Sequence, residues 1–321
     1  MIAAVVVSYN PTPGHFGLLI NRLVSQVGLL CVVDNSPASN NTVVDELTNC
    51  ELGFDQVRVV RLGRNAGIAT ALNIGIEIGL SEGAEFLLLS DQDSLPASDM
   101  VKNLASSLEG LLSEGEKVAA VGPVFQECNT DKVHPFQVQI PGHLFYGHGF
   151  ASAESPLVDA LTLITSGCLI QAAAIRDVGL MRDEYFVDGV DLEWSHRARA
   201  KGYRLVGVNG ATMRHEMGED KLRVWYLRWR MEAEYPPLRL YYRVRNLIAL
   251  TRESYVDLSW KLRNSWTIAG VVYSHLIFGT RRLDSLKMVC VGLWHGVVGK
   301  MGPYSMNVKD GAYDLGATGL D

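Results

Sequence analysis

The first half of the chain alternates short apolar runs with longer segments of helical periodicity. Apolar runs bounded by turn residues predict buried strands, and apolar positions three and four apart predict helices. The predicted strands are Ala3–Val7, Leu29–Val33, Val57–Arg61, Phe86–Ser90 and Val118–Val124, and the predicted helices are His15–Val27, Ala66–Leu80 and Ser98–Leu112. This order indicates an α/β fold with a doubly wound, mostly parallel sheet, whose ligand is expected at the carboxyl ends of the strands.

The second half ends in a different pattern. After a loop-rich stretch over about residues 126–160, the sequence predicts strand Gly167–Ile170, helix Asp188–Lys201 and strand Tyr203–Val208. From Trp225 onward the pattern predicts helices, and a pair of prolines beginning at Pro236 marks a boundary. We therefore expect an α/β domain over residues 1–235 and a helical, basic, Trp-containing C-terminal region over residues 236–321.

The composition is typical of a globular protein, since 48% of the 321 residues are hydrophobic and 20% are charged. The five cysteines form no C-x-x-C pair, so neither a disulfide framework nor a zinc site is expected. The longest apolar stretch, from Ile268 to Phe278, falls short of the roughly 20 residues of a membrane span. The N-terminus reads as a strand without a basic leader, and we expect a cytoplasmic protein.

Charge is distributed unevenly along the chain. Residues 1–220 contain 14 Lys and Arg against 27 Asp and Glu, a balance of −13, whereas residues 221–300 contain 14 against 5, a balance of +9. A basic region rich in tryptophan fits an anionic membrane surface. Nucleic acid is not expected as a partner, because no nucleic-acid-binding motif accompanies the charge. Packing against the α/β domain, or pairing between subunits of a homo-oligomer, is the open alternative.

Acidic residues follow two of the predicted strands. Asp91 and Asp93 come directly after Phe86–Ser90, so both carboxylates leave the carboxyl end of a central strand and can converge on one cation. Hard oxygen ligands suit Mg²⁺ or Mn²⁺, which otherwise bind phosphate oxygens and water. Asp34 repeats the arrangement at another strand end, where it can accept hydrogen bonds from a base or a ribose. The two residues after Asp34 can equally be turn or cap residues.

A helix start that contains glycine follows the third strand. Gly67 allows the backbone to approach a ligand closely, and Arg64 supplies a fixed positive charge near the phosphates of a metal complex. The segment lacks the G-x-G-x-x-G and Walker spacings, which argues against a dehydrogenase and against a P-loop enzyme.

Three acids, Asp188, Asp191 and Glu193, lie at the start of a predicted helix. The helix dipole stabilises acids at this position, so capping explains any one of them. If a substrate hydroxyl is to attack at neutral pH, however, one general base must exist. Beyond the next predicted strand lies His215, which is either structural or a neutral imidazole ligand to the metal.

Together these motifs resemble the inverting GT-A glycosyltransferases over about residues 2–220. The likeness rests on Val6 to Pro11, Asp34 to Ser36, Asn65 to Ala69 with Asn73, Asp91 to Asp93, Asp191 with Arg197, and His215. Within that superfamily the chain resembles bacterial rhamnosyltransferases in particular, to about residue 250. This second likeness adds Thr165 to Leu169, Phe186 to Trp194, and Tyr241-Tyr242-x-x-Arg245-Asn246.

The resemblance implies a GT-A fold and a set of site residues. It assigns nucleotide-sugar binding to Ser8, Tyr9, Asn10, Asp34, Arg64, Asn65, Gly67, Asn73, Asp91 and Gln92, and metal binding to Asp93 and His215. Asp34 is expected to contact the base and Asp91 the ribose. Asp191 is expected to be the catalytic base. The family's usual Glu-Asp pair is here Val190 and Asp191, and this departure leaves Asp188 as a rival.

The resemblance further implies metal-dependent, inverting transfer of L-rhamnose from dTDP-L-rhamnose to a saccharide or glycolipid acceptor, in cell-surface polysaccharide or glycolipid synthesis. Two alternatives stay open: a sugar-nucleotide nucleotidyltransferase and a catalytically silent carbohydrate-binding partner. Against the first, the first strand leads into Ser8 to Pro11, and a glycine-rich, basic loop for a triphosphate is not found there. The second leaves the separate polar sites at the strand ends unexplained.

Overall fold

The computed structural model describes residues 1–49, 56–127, 132–215 and 221–305. The chain divides into two compact units. The first comprises Met1–Pro141, Gly147–Asp183 and Val190–Glu216, and the second comprises Gly142–Tyr146, Glu184–Gly189 and Met217–Asp321. The predicted domain boundary at residue 235 stays a prediction. Cys50, Cys128 and residues 306–321 of the predicted C-terminal region lie outside the described residues.

The first unit contains eleven strands and six α-helices among its described residues. Nine of these strands form one sheet. The strands are β1 (Ile2–Ser8), β2 (Leu29–Asp34), β3 (Val57–Arg61), β4 (Phe86–Asp91), β5 (Ser94–Pro96), β6 (Val118–Glu127), β7 (Phe136–Val138), β8 (Gly147–Gly149), β9 (Leu157–Asp159), β10 (Cys168–Gln171) and β11 (Arg204–His215). The helices are α1 (His15–Val24), α2 (Thr42–Asn49), α3 (Ile68–Ser81), α4 (Met100–Ser113), α5 (Ala172–Val178) and α6 (Val190–Ala200). Strands β7 and β8 pair separately with each other.

The strand order of the sheet is β3-β2-β1-β4-β10-β6-β11-β5, with β9 paired to β11. Strands β3, β2, β1 and β4 are parallel, and β11 is parallel to β6, whereas β10, β5 and β9 are antiparallel to their neighbours. The predicted mostly parallel α/β sheet is therefore confirmed.

Close packing on both faces of the central strands fixes the sheet. Strand β2 is buried along its whole length, as expected for a parallel strand covered by helices on each side. Helix α3 lies so near β1 that a Cβ atom on Gly75 would stand 2.2 Å from Val5 Cγ1. The parallel register pairs Ser8 with Asp34 and Val7 with Asp91. The carboxyl ends of β1, β2 and β4 therefore lie side by side.

The second unit consists of a hairpin and helices. Its described elements are β12 (Lys221–Trp225), β13 (Trp229–Ala233), α7 (Pro237–Arg252), α8 (Leu258–Ile277) and α9 (Arg282–Val298). Proline suits the first turn of α7, because the amide hydrogen that it lacks has no partner within the helix there. Helices α7 and α9 pack closely, since a Cβ atom on Gly296 would lie 2.8 Å from that of Ile248.

The structure corrects three predictions. Helices do not begin at Trp225, because Leu222 and Val224 alternate with exposed neighbours and form a hairpin with Trp229–Ala233. His215 is the last residue of β11, which extends beyond the predicted strand Tyr203–Val208. Asp188 lies outside α6, because its backbone is in the left-handed region. Helices α2 and α5 and the short strands β5, β7, β8 and β9 were not predicted.

Candidate active site

Asp34 is held at the end of β2 by the neighbouring strand and by the turn that follows. Ser8 Oγ donates to Asp34 Oδ1 at 3.4 Å, and the Ser36 N–H donates to the same oxygen at 3.1 Å. Arg61 Nε lies 3.5 Å from Oδ2, and Asp34 is only 1% exposed. These contacts fix the orientation of the carboxylate at the edge of the sheet where a ligand is expected.

Asn35 joins this turn to the start of α3. Its Nδ2 donates to Asn65 Oδ1 at 3.1 Å, and the Ala66 N–H donates to Asn35 Oδ1 at 2.7 Å. Gly67, at φ 88°, precedes α3 in a conformation that glycine adopts readily, and its N–H donates to Asn65 Oδ1 at 3.0 Å. Arg64 is exposed and makes no hydrogen bond or ion pair within the part of the chain that the structure describes.

Gln92 ties the turn after β4 to the turn after β1. The Tyr9 N–H donates to Gln92 Oε1 at 2.6 Å, and Gln92 Nε2 donates to the Tyr9 carbonyl at 3.0 Å. The Asn10 N–H donates to Ser36 Oγ at 2.8 Å. The predicted residues at these two strand ends are thus linked by hydrogen bonds. Their contacts with a donor stay predictions.

Ser166 is a site residue whose role the sequence did not predict. Its Oγ donates to Asp91 Oδ2 at 2.6 Å and accepts a hydrogen bond from Ser94 Oγ at 3.1 Å. Ser166 is buried, so this contact is a fixed part of the site. Its one sequence signal is its place in the segment from Thr165 to Leu169.

The predicted metal ligands lie near each other along the backbone. Asp93 is exposed in the turn between β4 and β5, and His215 pairs in register with Ser94, the next residue. No group of three or more His, Cys, Asp or Glu side chains within the described ranges could hold a metal. Mg²⁺ commonly uses only one or two carboxylates together with substrate phosphates and water, so the donor set fits a metal brought with a diphosphate. The metal assignment stays a prediction.

Asn73 is engaged by the chain itself. Its Nδ2 donates to the Met181 carbonyl at 2.8 Å and to Asp183 Oδ1 at 2.7 Å, and its Oδ1 accepts the Met181 N–H at 2.9 Å. Asn73 therefore fixes the segment before α6 against α3. Its predicted contact with the nucleotide sugar stays a prediction.

Glu193 and Arg197 form a buried pair on α6. Arg197 Nε and Nη2 donate to the two Glu193 carboxylate oxygens at 2.8 and 2.9 Å. Arg197 also donates to the carbonyls of Val178 and Leu180 at 2.6 and 2.7 Å. Because Glu193 is 0% exposed, it cannot meet an acceptor. Arg197 lies four residues after Glu193 on α6, and this spacing allows the two side chains to pair.

Asp191 lies on the first turn of α6 and lines a pocket of the first unit together with Thr165, Cys168 and Trp194. Burial, and after it the negative charge of Asp191, raise the pKa of the Cys168 thiol, which therefore stays protonated at neutral pH. Asp191 is partly exposed, whereas Cys168 is buried. A partly exposed carboxylate can act as a general base toward a hydroxyl group.

The rival carboxylate, Asp188, belongs to the second unit. It pairs there with Arg239, whose Nε lies 3.3 Å from Asp188 Oδ2. Arg243 Nη1 lies 3.9 Å from the other oxygen. Asp188 is thus an ion-pair partner of arginines, and the choice of Asp191 as the base stays a prediction.

Comparison with known proteins identifies the family of this chain. Residues 4–163 match the model of glycosyl transferase family 2. The chain is 30% identical over 303 residues to the dTDP-rhamnosyl transferase RfbF of Shigella flexneri, covering 94% of this chain and 97% of that one. It is 26% identical over 258 residues to the galactofuranosyltransferase GlfT1 of Mycobacterium tuberculosis, covering 76% of this chain and 80% of that one.

Solved structures share the fold. The crystal structure of S. aureus TarS 1-349 superposes with a TM-score of 0.51 at 14% identity, covering 92% of this chain and 80% of that one. The structure of GalNAc-T7 with UDP, GalNAc and Mn²⁺ superposes with a TM-score of 0.54 at 12% identity, covering 87% of this chain and 58% of that one. At these identities the likeness shows the GT-A fold alone.

Proposed function

Since the chain belongs to glycosyl transferase family 2, we propose that it is a metal-dependent, inverting rhamnosyltransferase. Its donor is dTDP-L-rhamnose, and its acceptor is a saccharide or glycolipid in cell-surface polysaccharide or glycolipid synthesis. The observation that carries the choice of donor is the 30% identity to a dTDP-rhamnosyl transferase over 94% of the chain. Family membership also argues against a nucleotidyltransferase and a silent binding partner.

The carboxyl ends of β1, β2 and β4 bind the donor in this proposal. Asp34, oriented by Ser8, accepts hydrogen bonds from the base, and Asp91, oriented by Ser166, accepts them from the ribose. Asp93 would hold Mg²⁺ or Mn²⁺, and His215 would be a further ligand. A bound divalent cation neutralises charge on the diphosphate and makes it a better leaving group.

Transfer then needs a base on the acceptor side. Asp191 deprotonates the acceptor hydroxyl as this attacks the anomeric carbon from the face opposite the diphosphate. Arg64 offsets charge on the departing diphosphate, because it is exposed and its guanidinium suits phosphate oxygens. One displacement inverts the anomeric centre, so a β-L-rhamnosyl donor gives an α-L-rhamnoside.

Calorimetry tests the donor assignment. The chain is titrated with dTDP-L-rhamnose in Mg²⁺ and again in a chelator, and the same pair of titrations is repeated with a uridine-diphosphate sugar. We expect binding that requires the metal and is tighter for the thymidine donor. Equal affinity in the chelator contradicts the metal site, and a preference for the uridine donor contradicts the choice of nucleotide.

The basic region suggests where the enzyme works. No helix within the described residues is long and apolar enough to cross a membrane. The second unit nevertheless exposes Leu227 at 91%, Trp266 at 80% and Leu283 at 83%, in a part of the chain with excess positive charge. Exposed aromatic and aliphatic groups among cations suit an anionic membrane interface. We propose reversible attachment to the cytoplasmic face of the membrane, where a lipid-borne acceptor can reach the donor site.

A further inference from the structure

The loop that precedes α6 has an unusual backbone. Phe186 and Asp188 have φ values of 65° and 58°, in the left-handed region that favours glycine, and Gly189 follows at 84°. Residues other than glycine keep such angles only where the surrounding structure holds them. All three belong to the second unit, and so do the side chains that hold them.

Asn246 and Arg245, from α7, hold this loop through its carbonyl groups. Asn246 Nδ2 donates to the carbonyls of Tyr185, Val187 and Asp188 at 3.1, 2.7 and 2.6 Å. Arg245 Nη2 donates to the Tyr185 carbonyl at 2.9 Å, and Arg245 Nε donates to Asn246 Oδ1 at 2.8 Å. Both side chains are buried. Hydrogen bonds from α7 therefore hold the backbone that carries the Asp188 carboxylate.

Two arginines of α7 face that carboxylate. Arg239 Nε donates to Asp188 Oδ2 at 3.3 Å. Arg243 Nη1 stands 3.9 Å from Oδ1, which is an electrostatic contact but is too long for a hydrogen bond. Both guanidinium groups lie over the ring of Tyr235, at 5.4 Å for Arg239 and 4.4 Å for Arg243.

Among the residues that the structure describes, none accepts a hydrogen bond from the Arg243 guanidinium. Its side chain is only 23% exposed, and its Nε is buried with no hydrogen-bond partner in the described part of the chain. Its other guanidinium nitrogens likewise donate no hydrogen bond to a described residue. Burying donors of a cation without acceptors is costly. The two Nη groups of a guanidinium can donate to two oxygens of one phosphate or carboxylate.

We propose that Arg243, with Arg239 beside it, binds an oxyanion of the acceptor, either a phosphate or a carboxylate. The assignment to the acceptor rests on the proposed function, in which Asp191, three residues after Asp188, is the base that meets the acceptor hydroxyl. The diphosphate of the donor is assigned to Arg64 and to the metal at Asp93. The acceptor is therefore anionic: it is a phosphate-linked glycolipid or it carries an acidic sugar.

Binding of simple oxyanions tests the site directly. The full chain, with its donor site saturated by dTDP and Mg²⁺, is titrated with inorganic phosphate and separately with glucuronate. Binding of phosphate alone indicates a phosphate-linked acceptor, and binding of glucuronate alone indicates an acidic sugar. Arg243→Gln is expected to weaken the binding by roughly 10-fold or more, because it removes charge-assisted hydrogen bonds. Arg243→Lys keeps the charge but loses the fork, so an intermediate affinity is expected.

Arg228→Gln is the matched control, because Arg228 is an exposed arginine of the same unit and its loss changes the net charge equally. We expect this variant to bind as the unmodified chain does, with thermal melting confirming that all variants fold. Equal affinities of Arg243→Gln and Arg228→Gln overturn the proposal, and so does a chain that binds neither probe. Failure of the donor titration would instead contradict the proposed function, so the two failures are distinguishable.

Discussion

The two units hold their buried charges in opposite ways. In the first unit, buried carboxylates have cationic neighbours: Arg61 Nε lies 3.5 Å from Asp34 Oδ2, and Arg197 donates to both oxygens of Glu193. In the second, Arg245 is 0% exposed and donates to carbonyl and amide oxygens, and no described carboxylate lies within ion-pair distance of it. Neutral partners satisfy hydrogen bonds without cancelling charge. Asp34 and Glu193 are therefore paired with cations in the first unit, whereas Arg245 keeps its positive charge inside the second.

Removing the predicted metal ligand should have the largest effect on the acidic side. Asp93→Ala is expected to abolish metal-dependent donor binding and to lower turnover by about 1000-fold, the equivalent of the several kcal/mol that a metal ion contributes. Calorimetry with dTDP-L-rhamnose measures the binding. Asp99→Ala is the control, because Asp99 is an exposed acid nearby whose side chain makes no capping hydrogen bond to α4. Unchanged donor affinity of Asp93→Ala in the presence of metal would remove Asp93 from the site.

The two acids around α6 give the next contrast. Asp191→Asn is expected to preserve donor binding and to lower turnover by roughly 10² to 10⁴-fold, as is typical when a general base is lost. Asp188→Asn should have a smaller effect on turnover, because Asp188 pairs with Arg239 in the second unit. Steady-state rates of both variants at saturating donor decide the matter. The reverse order of effects would make Asp188 the base.

The loop before α6 depends on one amide side chain for its shape. Asn246→Ala removes hydrogen bonds to three carbonyls and is expected to lower the free energy of unfolding by about 1 to 3 kcal/mol. Chemical denaturation measures the change. Asn103→Ala is the control, since it removes one exposed hydrogen bond to the Gly210 carbonyl and should cost less. Equal costs would mean that Asn246 does not hold the loop.

Membrane attachment should respond to the exposed apolar groups of the second unit. Flotation with anionic vesicles at low salt is expected to carry the chain, and salt or neutral vesicles should weaken the binding. Trp266→Ser and Leu227→Ser should each reduce it several-fold, because less apolar surface is buried. Leu18→Ser, on α1 of the first unit, is the control and should change nothing. A chain that ignores anionic vesicles would assign these side chains to packing or to pairing between subunits.

The sequence predicted the central sheet well and the hairpin of the second unit badly. Strand β2 is apolar along its length because it is buried along its length, so burial and pattern agree. In β13, Trp229 and Met231 are exposed, so the apolar positions of this strand do not mark a buried face. The spacing of apolar residues indicates secondary structure only where the fold buries those residues.

The residues of the candidate site likewise fall into those that the sequence predicted and those that it missed. The acids at the ends of β2 and β4 were predicted, because a strand end fixes where its next residues lie. Ser166 was missed because its partner, Asp91, is 75 residues away and only the antiparallel entry of β10 brings the two together. Arg243 was missed for a similar reason, since its relation to Asp188 depends on how α7 meets a loop with left-handed residues.

Metal-dependent rhamnosyl transfer can be followed as the release of a nucleoside diphosphate. The purified chain is incubated with a panel of nucleotide sugars in Mg²⁺ or Mn²⁺, and the released nucleoside diphosphate is measured. We expect dTDP release from dTDP-L-rhamnose, less release from uridine-diphosphate sugars, and none in a chelator. Release from uridine donors alone, release that survives the chelator, or pyrophosphate release from a nucleoside triphosphate would contradict it.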